Sequence, residues 1–407
     1  MAAGDIAWVS IATGLVMLMT PALGFFYAGL VRKKNLVSTL AQCMAIFAVV
    51  SLTWTLWGYS LSFGTSVNGV IGDLSLFDLN GIEPTTVGRY APEIPELLYF
   101  AFELMFAAIT PALIIGAFAE RIKFSSLLVF TVLWSTLIYS PIAHWVWNTD
   151  GWLHSLGAID FAGGVVVHVA AGLSALAAAL VVGRRKDFEK RREFKPSNIP
   201  YVLLGAALLW FGWFGFNGGS AFAANEWAVS AIVATTLSAA AAMVSWMTVD
   251  WITKGKPSAV GIAVGSVCGM VAITPGSGYV NVPAAIIIGL VAGVISNLIS
   301  NWRIARTKLD DTLDVFACHG VGGIWGSIAT GLFASKHINP TGNDGLFYGN
   351  PNLLVSQLIA VVVVAAFAFI GSYVLLRLIK IFSPLRVSEE EEENGLDSSQ
   401  HGEEAYS

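Results

Sequence analysis

Two histidines within apolar sequence are the residues of this chain best suited to chemistry. His168 ends the stretch Asp160-Phe-Ala-Gly-Gly-Val-Val-Val-His168, and His319 ends a similar stretch that begins with Asp314. At a helical rise of roughly 1.5 Å per residue, His168 lies about 12 Å beyond Asp160, deep inside an apolar helix. Two imidazoles in contact in a dry pore can share one proton, but they cannot both be charged. The pair is therefore suited to accepting a proton, relaying it, or hydrogen-bonding a small neutral base.

Each of these residues also has a structural interpretation. A lone histidine in apolar sequence is often a hydrogen-bonded core residue. Asp160 and Asp314 would cap free backbone N–H groups at a helix start, and a negative charge at Asp160 would also favour cations over anions. A metal site needs three or four ligands, and Cys318 is the one soft ligand near the histidines by spacing. We therefore expect no metal and no cofactor.

The sequence around these residues is that of a membrane protein. Of the 407 residues, 56% are hydrophobic and 12% are charged, a balance outside the range of ordinary soluble domains. About eleven apolar segments have a length that suits helices crossing a bilayer. They are residues 6–31, 36–63, 97–119, 124–147, 161–183, 200–222, 227–253, 258–274, 282–302, 313–333 and 353–380. The predicted fold class is an all-α polytopic membrane protein with eleven transmembrane helices.

Basic residues occur in alternate connections between these segments. Of the 22 Lys and Arg residues, only Arg89 and Lys336 fall in the other set of connections. The positive-inside rule then predicts an N-terminus outside and a C-terminus in the cytoplasm. The two histidine helices, fifth and tenth, are antiparallel in this topology. Gly24-Phe-Phe-Tyr-Ala-Gly29 of the first helix also resembles Gly215-Phe-Asn-Gly-Gly219 of the sixth. These resemblances pair helix 1 with helix 6 and helix 5 with helix 10, and they predict a 5+5 inverted repeat, residues 1–183 and 200–333, with an extra helix over 353–380.

Aromatic side chains gather at the predicted outer ends of several helices. An interfacial belt accounts for most of the 14 tryptophans. Aromatic faces beside a hydroxyl also suit a small cation, through cation–π attraction and one hydrogen bond. The candidates are Phe102, Phe106, Trp147, Trp213 and Phe216, with Ser220 as the hydroxyl.

Several stretches of the chain carry a resemblance to a known family. They are Thr20-Pro-Ala-Leu-Gly-Phe-Phe-Tyr-Ala-Gly29, Gly116-Ala-Phe-Ala-Glu-Arg121, Asp160 to His168, Trp213-Phe-Gly-Phe-Asn217 to Ser220, Asp314 to His319-Gly320, and a tail motif. Together they are similar to the ammonium transporter, methylammonium permease and Rhesus (Amt/Mep/Rh) superfamily, on its bacterial and archaeal Amt side. The resemblance covers essentially the whole chain. It implies a homotrimer in the cell membrane, with one pore per subunit and with ammonium or its analogue methylammonium as substrate.

The resemblance also implies roles for particular residues. Trp147, Ser220 and Phe106 would form the outer ammonium recruitment site, with Asp160 as the aspartate beside it. Phe106 and Phe216 would form a stacked gate. His168 and His319 would be the twin histidines of the pore.

Composition alone predicts a flexible C-terminal tail, whereas the resemblance implies an ordered one that governs inhibition by a PII-type signal protein. The residues that match the family's tail are Gly395, Asp397, His401, Gly402, Glu403 and Tyr406. The acidic run 389–393 is also expected to attract the basic loop 184–195.

Glu103 departs from the family, which has a glutamine at this position. It lies three residues before Phe106 and can share a helix face with it. We expect its side chain to reach the outer headgroup region. The alternative is that Glu103 adds attraction for cations at the outer vestibule.

These observations predict a transmembrane ammonium-conducting domain over residues 1–380 and a cytoplasmic regulatory tail over 381–407. The predicted function is recruitment of NH₄⁺ outside, its deprotonation, and passage of NH₃ past the histidines, with or without separate proton translocation. An ammonium sensor that signals through its tail is the alternative, although no added signalling domain fits after residue 380. An enzyme would need a nucleophile, metal or carboxylate beside the histidines. We therefore expect neither an enzyme nor a nucleic-acid partner.

Overall fold

The structure of this chain is a computed structural model, which describes residues 2–189 and 195–406. Residues 190–194, within the basic loop predicted to attract the tail, lie outside the described residues. Eleven long helices form most of the described chain, which confirms the predicted all-α fold. Nine of the described helices have the length and apolar composition to cross a membrane. The helices are α1 (Ala3–Leu30), α2 (36–63), α3 (Glu96–Phe118), α4 (124–147), α5 (Gly164–Val182), α6 (Ile199–Gly219), α7 (Glu226–Lys254), α8 (Ala259–Ile273), α9 (Val282–Arg306), α10 (316–333) and α11 (Pro351–Phe382).

The connections contain only short elements within the described residues. A two-stranded antiparallel hairpin pairs Ser66–Val67 with Ile71–Gly72 in the connection after α2. Short helices cover Trp152–Ser155, Lys186–Glu189 and Glu389–Asn394.

The two histidine helices begin three residues later than predicted. α5 starts at Gly164 and α10 at Phe316, whereas the apolar segments start at 161 and 313. The chain turns just before each helix through a left-handed residue, Gly163 with φ +107° and Asp314 with φ +57°. Glycine adopts this conformation without steric cost, and aspartate tolerates it better than most residues do.

Both histidines lie in π-helical turns. His168 falls within Gly164–Val169, and His319 within Phe316–Gly320. A π-helical turn widens the helix by one residue, and such turns are frequent at functional sites. Here each turn lies at the start of its helix, on the side of the capping carboxylate.

The helices of the predicted repeats pack in the predicted pairs. α1 lies along α6, where a Cβ atom added at Gly212 would come within 2.2 Å of the Met19 side chain. α5 crosses α10 still more closely, because a Cβ atom on Gly172 would lie 2.1 Å from the backbone nitrogen of Gly320. Only glycine permits backbones to approach this closely. The close crossing of α5 and α10 brings the two histidine segments together.

Candidate functional site

Asp160 caps the start of α5. Its Oδ1 accepts hydrogen bonds from the backbone N–H groups of Gly163 and Gly164 at 2.9 and 2.7 Å, and its Oδ2 from those of Val165 and Val166 at 2.7 and 3.1 Å. These groups would otherwise lack partners at a helix start. Burial raises the pKa of Asp160 above its ordinary value, although the four hydrogen bonds oppose the shift. The direct role of this carboxylate is therefore that of a cap.

The cap of α10 is Asp311, so our expectation of Asp314 at this position is wrong. Asp311 accepts hydrogen bonds from the N–H groups of Val315 and Phe316 at 3.1 and 2.8 Å. It precedes His319 by eight residues, as Asp160 precedes His168. Asp314 instead pairs with Arg303, whose Nε lies 2.8 Å from Oδ1.

A cavity of about 630 Å³, the outer cavity, opens on the face that carries the start of α3 and the end of α6. Its wall includes the four residues predicted for the recruitment site, Phe106, Trp147, Asp160 and Ser220. The indole N–H of Trp147 donates to the backbone oxygen of Asp160 at 3.0 Å. The hydroxyl of Ser220 donates to the backbone oxygen of Phe216 at 2.8 Å, which leaves its oxygen lone pairs as acceptors.

The rings of Phe106, which lines the outer cavity, and Phe216, which lines a second and smaller cavity, pack against each other. Their centroids lie 4.3 Å apart with planes inclined by 35°. The edge of Trp147 packs on Phe106 at a centroid distance of 5.9 Å and 87°. Both phenylalanines are buried. We call this stacked pair the gate.

A narrow cavity of about 10 Å³, the tunnel, lies behind the gate. This volume is roughly what one water-sized molecule needs. The tunnel is lined by Met19, Leu23, Ile109, Leu113, Val167, His168, Leu209, Trp213, Phe216, Val267 and His319. His168 stacks on Phe216 at 5.9 Å, and its Nδ1 lies 3.3 Å from the Nδ1 of His319. The histidines are thus the polar groups of an otherwise apolar passage.

Besides Phe216, two more of the predicted outer aromatics do not line the outer cavity. Trp213 stacks on His168 at 5.6 Å and donates its N–H to the Thr274 hydroxyl at 3.0 Å, so it belongs to the tunnel wall. Phe102 is fully buried and packs on Phe106 with ring centroids 5.0 Å apart, outside both cavity linings. A sequence position near a helix end specifies depth, but the rotation of the helix decides which side chains reach the cavity.

A profile described as the Ammonium Transporter Family matches residues 7–406. The chain belongs to the ammonium transporter family. The resemblance inferred from the motifs is thereby confirmed.

Relatives of this family member cover nearly its full length. Ammonium transporter Amt1 of Archaeoglobus fulgidus is 48% identical over 406 residues, 100% of each chain. The crystal structure of Saccharomyces cerevisiae Mep2 is similar with a TM-score of 0.90 at 36% identity, over 96% of this chain and 88% of that one. A structure entitled Sensor Amt Protein has a TM-score of 0.88 at 30% identity, over 98% of both chains.

A buried ionic cluster joins the connections on the face opposite the outer cavity. Arg185 contacts Glu120 at 2.8 Å and Asp310 at 2.7 Å, and Arg32 contacts Glu120 at 3.0 Å. Burial opposes ionisation of Glu120, but the charges of Arg185 and Arg32 outweigh it and hold the pKa below its ordinary value. Arg121 donates to the backbone oxygens of several of these connections. We call the face that carries these connections the basic face. Arg121, the last residue of the Gly116–Arg121 motif, therefore holds its connections in place by hydrogen bonds.

The tail residues that match the family dock on this basic face. The carboxylate of Asp397 accepts hydrogen bonds from the N–H groups of Val37 and Ser38 at 3.1 and 2.7 Å, at the start of α2. Gly395 has φ +105°, and an added Cβ atom would lie 2.6 Å from Lys34. His401 Nε2 lies 3.2 Å from the Ser38 hydroxyl. Of the other family-matching residues, Glu403 donates its backbone N–H to Asp397 O at 3.1 Å, and Tyr406 accepts a hydrogen bond from Asn198 Nδ2 at 3.0 Å. Gly402 forms a left-handed turn with φ +69°.

The acidic run of the tail contacts the described part of the basic loop. Lys186 Nζ lies 2.5 Å from the Glu389 carboxylate, and the Lys186 backbone N–H donates to Glu392 at 3.0 Å. Glu392 also pairs with Arg386 at 2.5 Å. Glu392 is buried, and its carboxylate joins the tail to the loop.

Glu103 lies in the wall of the outer cavity and is only 4% exposed. Our expectation that it reaches the headgroup region is therefore wrong. The same wall contains Tyr99, Phe161, Phe222 and Tyr279, which the sequence did not single out. They come from different helices and connections, so no spacing in the sequence relates them.

The thiols of Cys268 and Cys318 lie 3.3 Å apart beside the tunnel. Across residues 2–189 and 195–406, no group of three His, Cys, Asp or Glu side chains converges as metal ligands would.

His144 has a structural role, because its ring nitrogens contact Ser62 O and the Ser66 hydroxyl at 2.9 and 2.8 Å.

Proposed function

We propose that this chain transports ammonium by recruiting NH₄⁺ in the outer cavity, deprotonating it there, and passing NH₃ through the tunnel. The observation that carries the proposal is the gate that leads into a tunnel with room for about one small molecule. The passage is apolar apart from His168 and His319. Dehydrating a cation in such surroundings costs several kcal/mol or more. A neutral molecule avoids that cost.

The walls of the outer cavity offer what an ammonium ion needs. Trp147 and Phe106 line this cavity, and their aromatic rings suit cation–π attraction. Ser220 has oxygen lone pairs free to accept an N–H bond, because its own proton is donated to Phe216. Behind the gate, a histidine nitrogen is available to NH₃, since His168 Nε2 is buried without a partner in the described chain.

The proton lost by ammonium has two possible routes. It returns to the outer solution, which gives net NH₃ transport, or it crosses separately along the histidines, which gives a current. An ammonium concentration jump on proteoliposomes adsorbed to a solid-supported membrane separates the two, with internal pH followed in parallel. Transport without current supports the first route, and a current lost in His168→Ala supports the second. Flux no greater than in protein-free liposomes would refute the proposal as a whole.

We propose that the chain is a multi-pass protein of the cell membrane, with the outer cavity and the N-terminus outside and the tail in the cytoplasm. The clustering of basic connections on the tail side supports this orientation. We also propose a homotrimer, as the family resemblance implies. Native mass spectrometry from detergent tests the trimer, and accessibility of single introduced cysteines at positions 154 and 398 tests the orientation.

We propose that residues 1–380 conduct ammonium and that the tail, residues 381–407, regulates this activity at the cytoplasmic face, through a PII-type signal protein. The hydrogen bonds of Asp397 and His401 to α2 support a tail that communicates with the helices. Deleting residues 387–407 should alter uptake or its response to nitrogen status. Unchanged uptake and unchanged inhibition in the deleted chain would contradict this role.

An ammonium sensor remains the second candidate, because the chain is 30% identical to a structure entitled Sensor Amt Protein over 98% of its length. The transporter proposal is preferred because 48% identity extends over all of Ammonium transporter Amt1. Intact ammonium binding without flux in proteoliposomes would favour the sensor. We propose no enzymatic activity.

A further inference from the structure

Two buried carboxylates line the outer cavity, and they differ in their hydrogen bonds. Asp160 is 7% exposed, and its oxygens accept four backbone N–H groups. Glu103 is 4% exposed and accepts no hydrogen bond within residues 2–189 and 195–406, and its Oε2 is buried without a partner. The lone pairs of Asp160 are thus occupied, whereas those of Glu103 are free for a ligand.

The surroundings of Glu103 supply no positive charge. The other titratable side chains in the described wall of its cavity are the carboxylates Glu93 and Asp160, the phenols Tyr90, Tyr99 and Tyr279, and His154. Among the described residues that line the cavity, none is Lys or Arg, and His154 is exposed. A buried carboxylate without a donor or a counter-charge is strongly unfavourable. A cation with N–H donors would supply both.

The position of Glu103 along α3 places it on the route to the gate. α3 begins at Glu96 and runs from the outer cavity toward the basic face, so Glu103 precedes Phe106 along the entry route. Three residues correspond to a rise of about 4.5 Å on a common helix face. An ion held by Glu103 is therefore about one helical turn outside the gate.

We propose that Glu103 is the counter-charge for ammonium before the gate and the first acceptor of its proton, a role that rests on the proposed function. One N–H bond of NH₄⁺ breaks, and its electron pair stays on nitrogen. The proton forms an O–H bond on Glu103, and neutral NH₃ proceeds toward the gate. Glu103 is reset when its carboxyl group releases the proton to water of the outer cavity.

The test compares Glu103→Gln, which keeps the shape and removes the charge, with Glu103→Asp, which keeps the charge. Initial uptake rates are measured in proteoliposomes over a range of ammonium concentrations and external pH values. Glu83→Gln is the control, because Glu83 is an exposed carboxylate in the connection before α3 and does not line the outer cavity. Size-exclusion profiles establish that each variant is folded.

In Glu103→Gln, the half-saturating concentration should rise about tenfold to a hundredfold, the factor for one lost charge-assisted hydrogen bond. The wild-type rate should decline at acidic external pH, where Glu103 is protonated, and this decline should be absent from Glu103→Gln. Glu103→Asp should retain that decline, and Glu83→Gln should match the wild type. A wild-type concentration dependence and pH profile in Glu103→Gln would overturn this inference, even while wild-type flux upholds the proposed function. Absence of flux in the wild type would instead refute the proposed function.

Discussion

The Nδ1 atoms of His168 and His319 lie 3.3 Å apart, although 151 positions separate the two residues in the sequence. A neutral imidazole carries one N–H group, so one Nδ1 donates and the other accepts. The close crossing of Gly172 and Gly320 holds α5 and α10 at the distance that this hydrogen bond requires. The two histidines therefore form one hydrogen-bonded pair.

Replacing the histidines one at a time and together should give strongly non-additive effects on transport. His168→Ala and His319→Ala each leave the other imidazole without its partner, so the second replacement removes little more. We expect a coupling energy of about 0.5–3 kcal/mol from the initial rates of the double-mutant cycle. Additive effects within about 0.3–0.5 kcal/mol would show that the two side chains act independently.

Phe216→Leu should open the gate to larger amines. The substitution removes the ring that lies 4.3 Å from Phe106, and with it part of the steric barrier above the tunnel. We expect methylammonium uptake to rise relative to ammonium uptake in competition assays. Phe211→Leu on the same helix is the control, because Phe211 is 53% exposed and lies away from the gate. A selectivity ratio that is equal in both variants would argue against the gate.

Gly172→Ala should disrupt the histidine pair without touching either ring. Its Cβ atom would lie 2.1 Å from the backbone nitrogen of Gly320, and that contact can be relieved only by separating α5 and α10. We expect a loss of about 1–3 kcal/mol or more in stability, measured by thermal unfolding in detergent, together with reduced transport. Gly14→Ala is the control, because nothing lies within 4 Å of the added atom. Equal melting temperatures for the two variants would contradict the close crossing.

Glu120→Gln should destabilise the basic face by about 1.5–3 kcal/mol, because Arg185 would lose one charged acceptor while it keeps Asp310. The folded-state pKa of Glu120 is lowered, so its contribution is present above the ordinary glutamate value of about 4.3 and is lost as the pH falls further. The stability difference between wild type and variant should therefore shrink below about pH 4. Chemical or thermal unfolding at several pH values measures it. Glu189→Gln, at an exposed position, should change little, and a similar loss there would reject the specific role of Glu120.

Asp397→Ala should weaken the attachment of the tail to the start of α2. The substitution removes the acceptor for the N–H groups of Val37 and Ser38, and a lost helix cap costs about 1 kcal/mol. Hydrogen exchange of residues 395–406 should quicken about fivefold, the factor that corresponds to this energy. Glu404→Ala in the same tail removes an exposed carboxylate and should leave exchange unchanged. Identical exchange in the two variants would exclude capping as what holds the tail.

Much of this fold could be predicted from the sequence because a bilayer restricts the possibilities so strongly. Backbone groups in hydrocarbon must be satisfied within each segment, so long apolar stretches become helices. Alternation of basic connections then orients them. The boundaries of α2 were predicted at 36–63, and the pairs α1 with α6 and α5 with α10 followed from the repeated motifs. The depth of His168 and the capping role of Asp160 follow from the same local rules.

Rotation about helix axes and the paths of connecting turns were decided only by the tertiary structure. Asp311 rather than Asp314 caps α10, because the chain reverses at Asp314 before the helix begins. Trp213 faces His168 instead of the outer cavity, and Glu103 is buried in the wall of that cavity instead of reaching the surface. The apolar composition and the length of each segment predict which segments enter the membrane. Which side chains meet there depends on packing between segments far apart in sequence, where glycine contacts set the spacing and rotation of the helices.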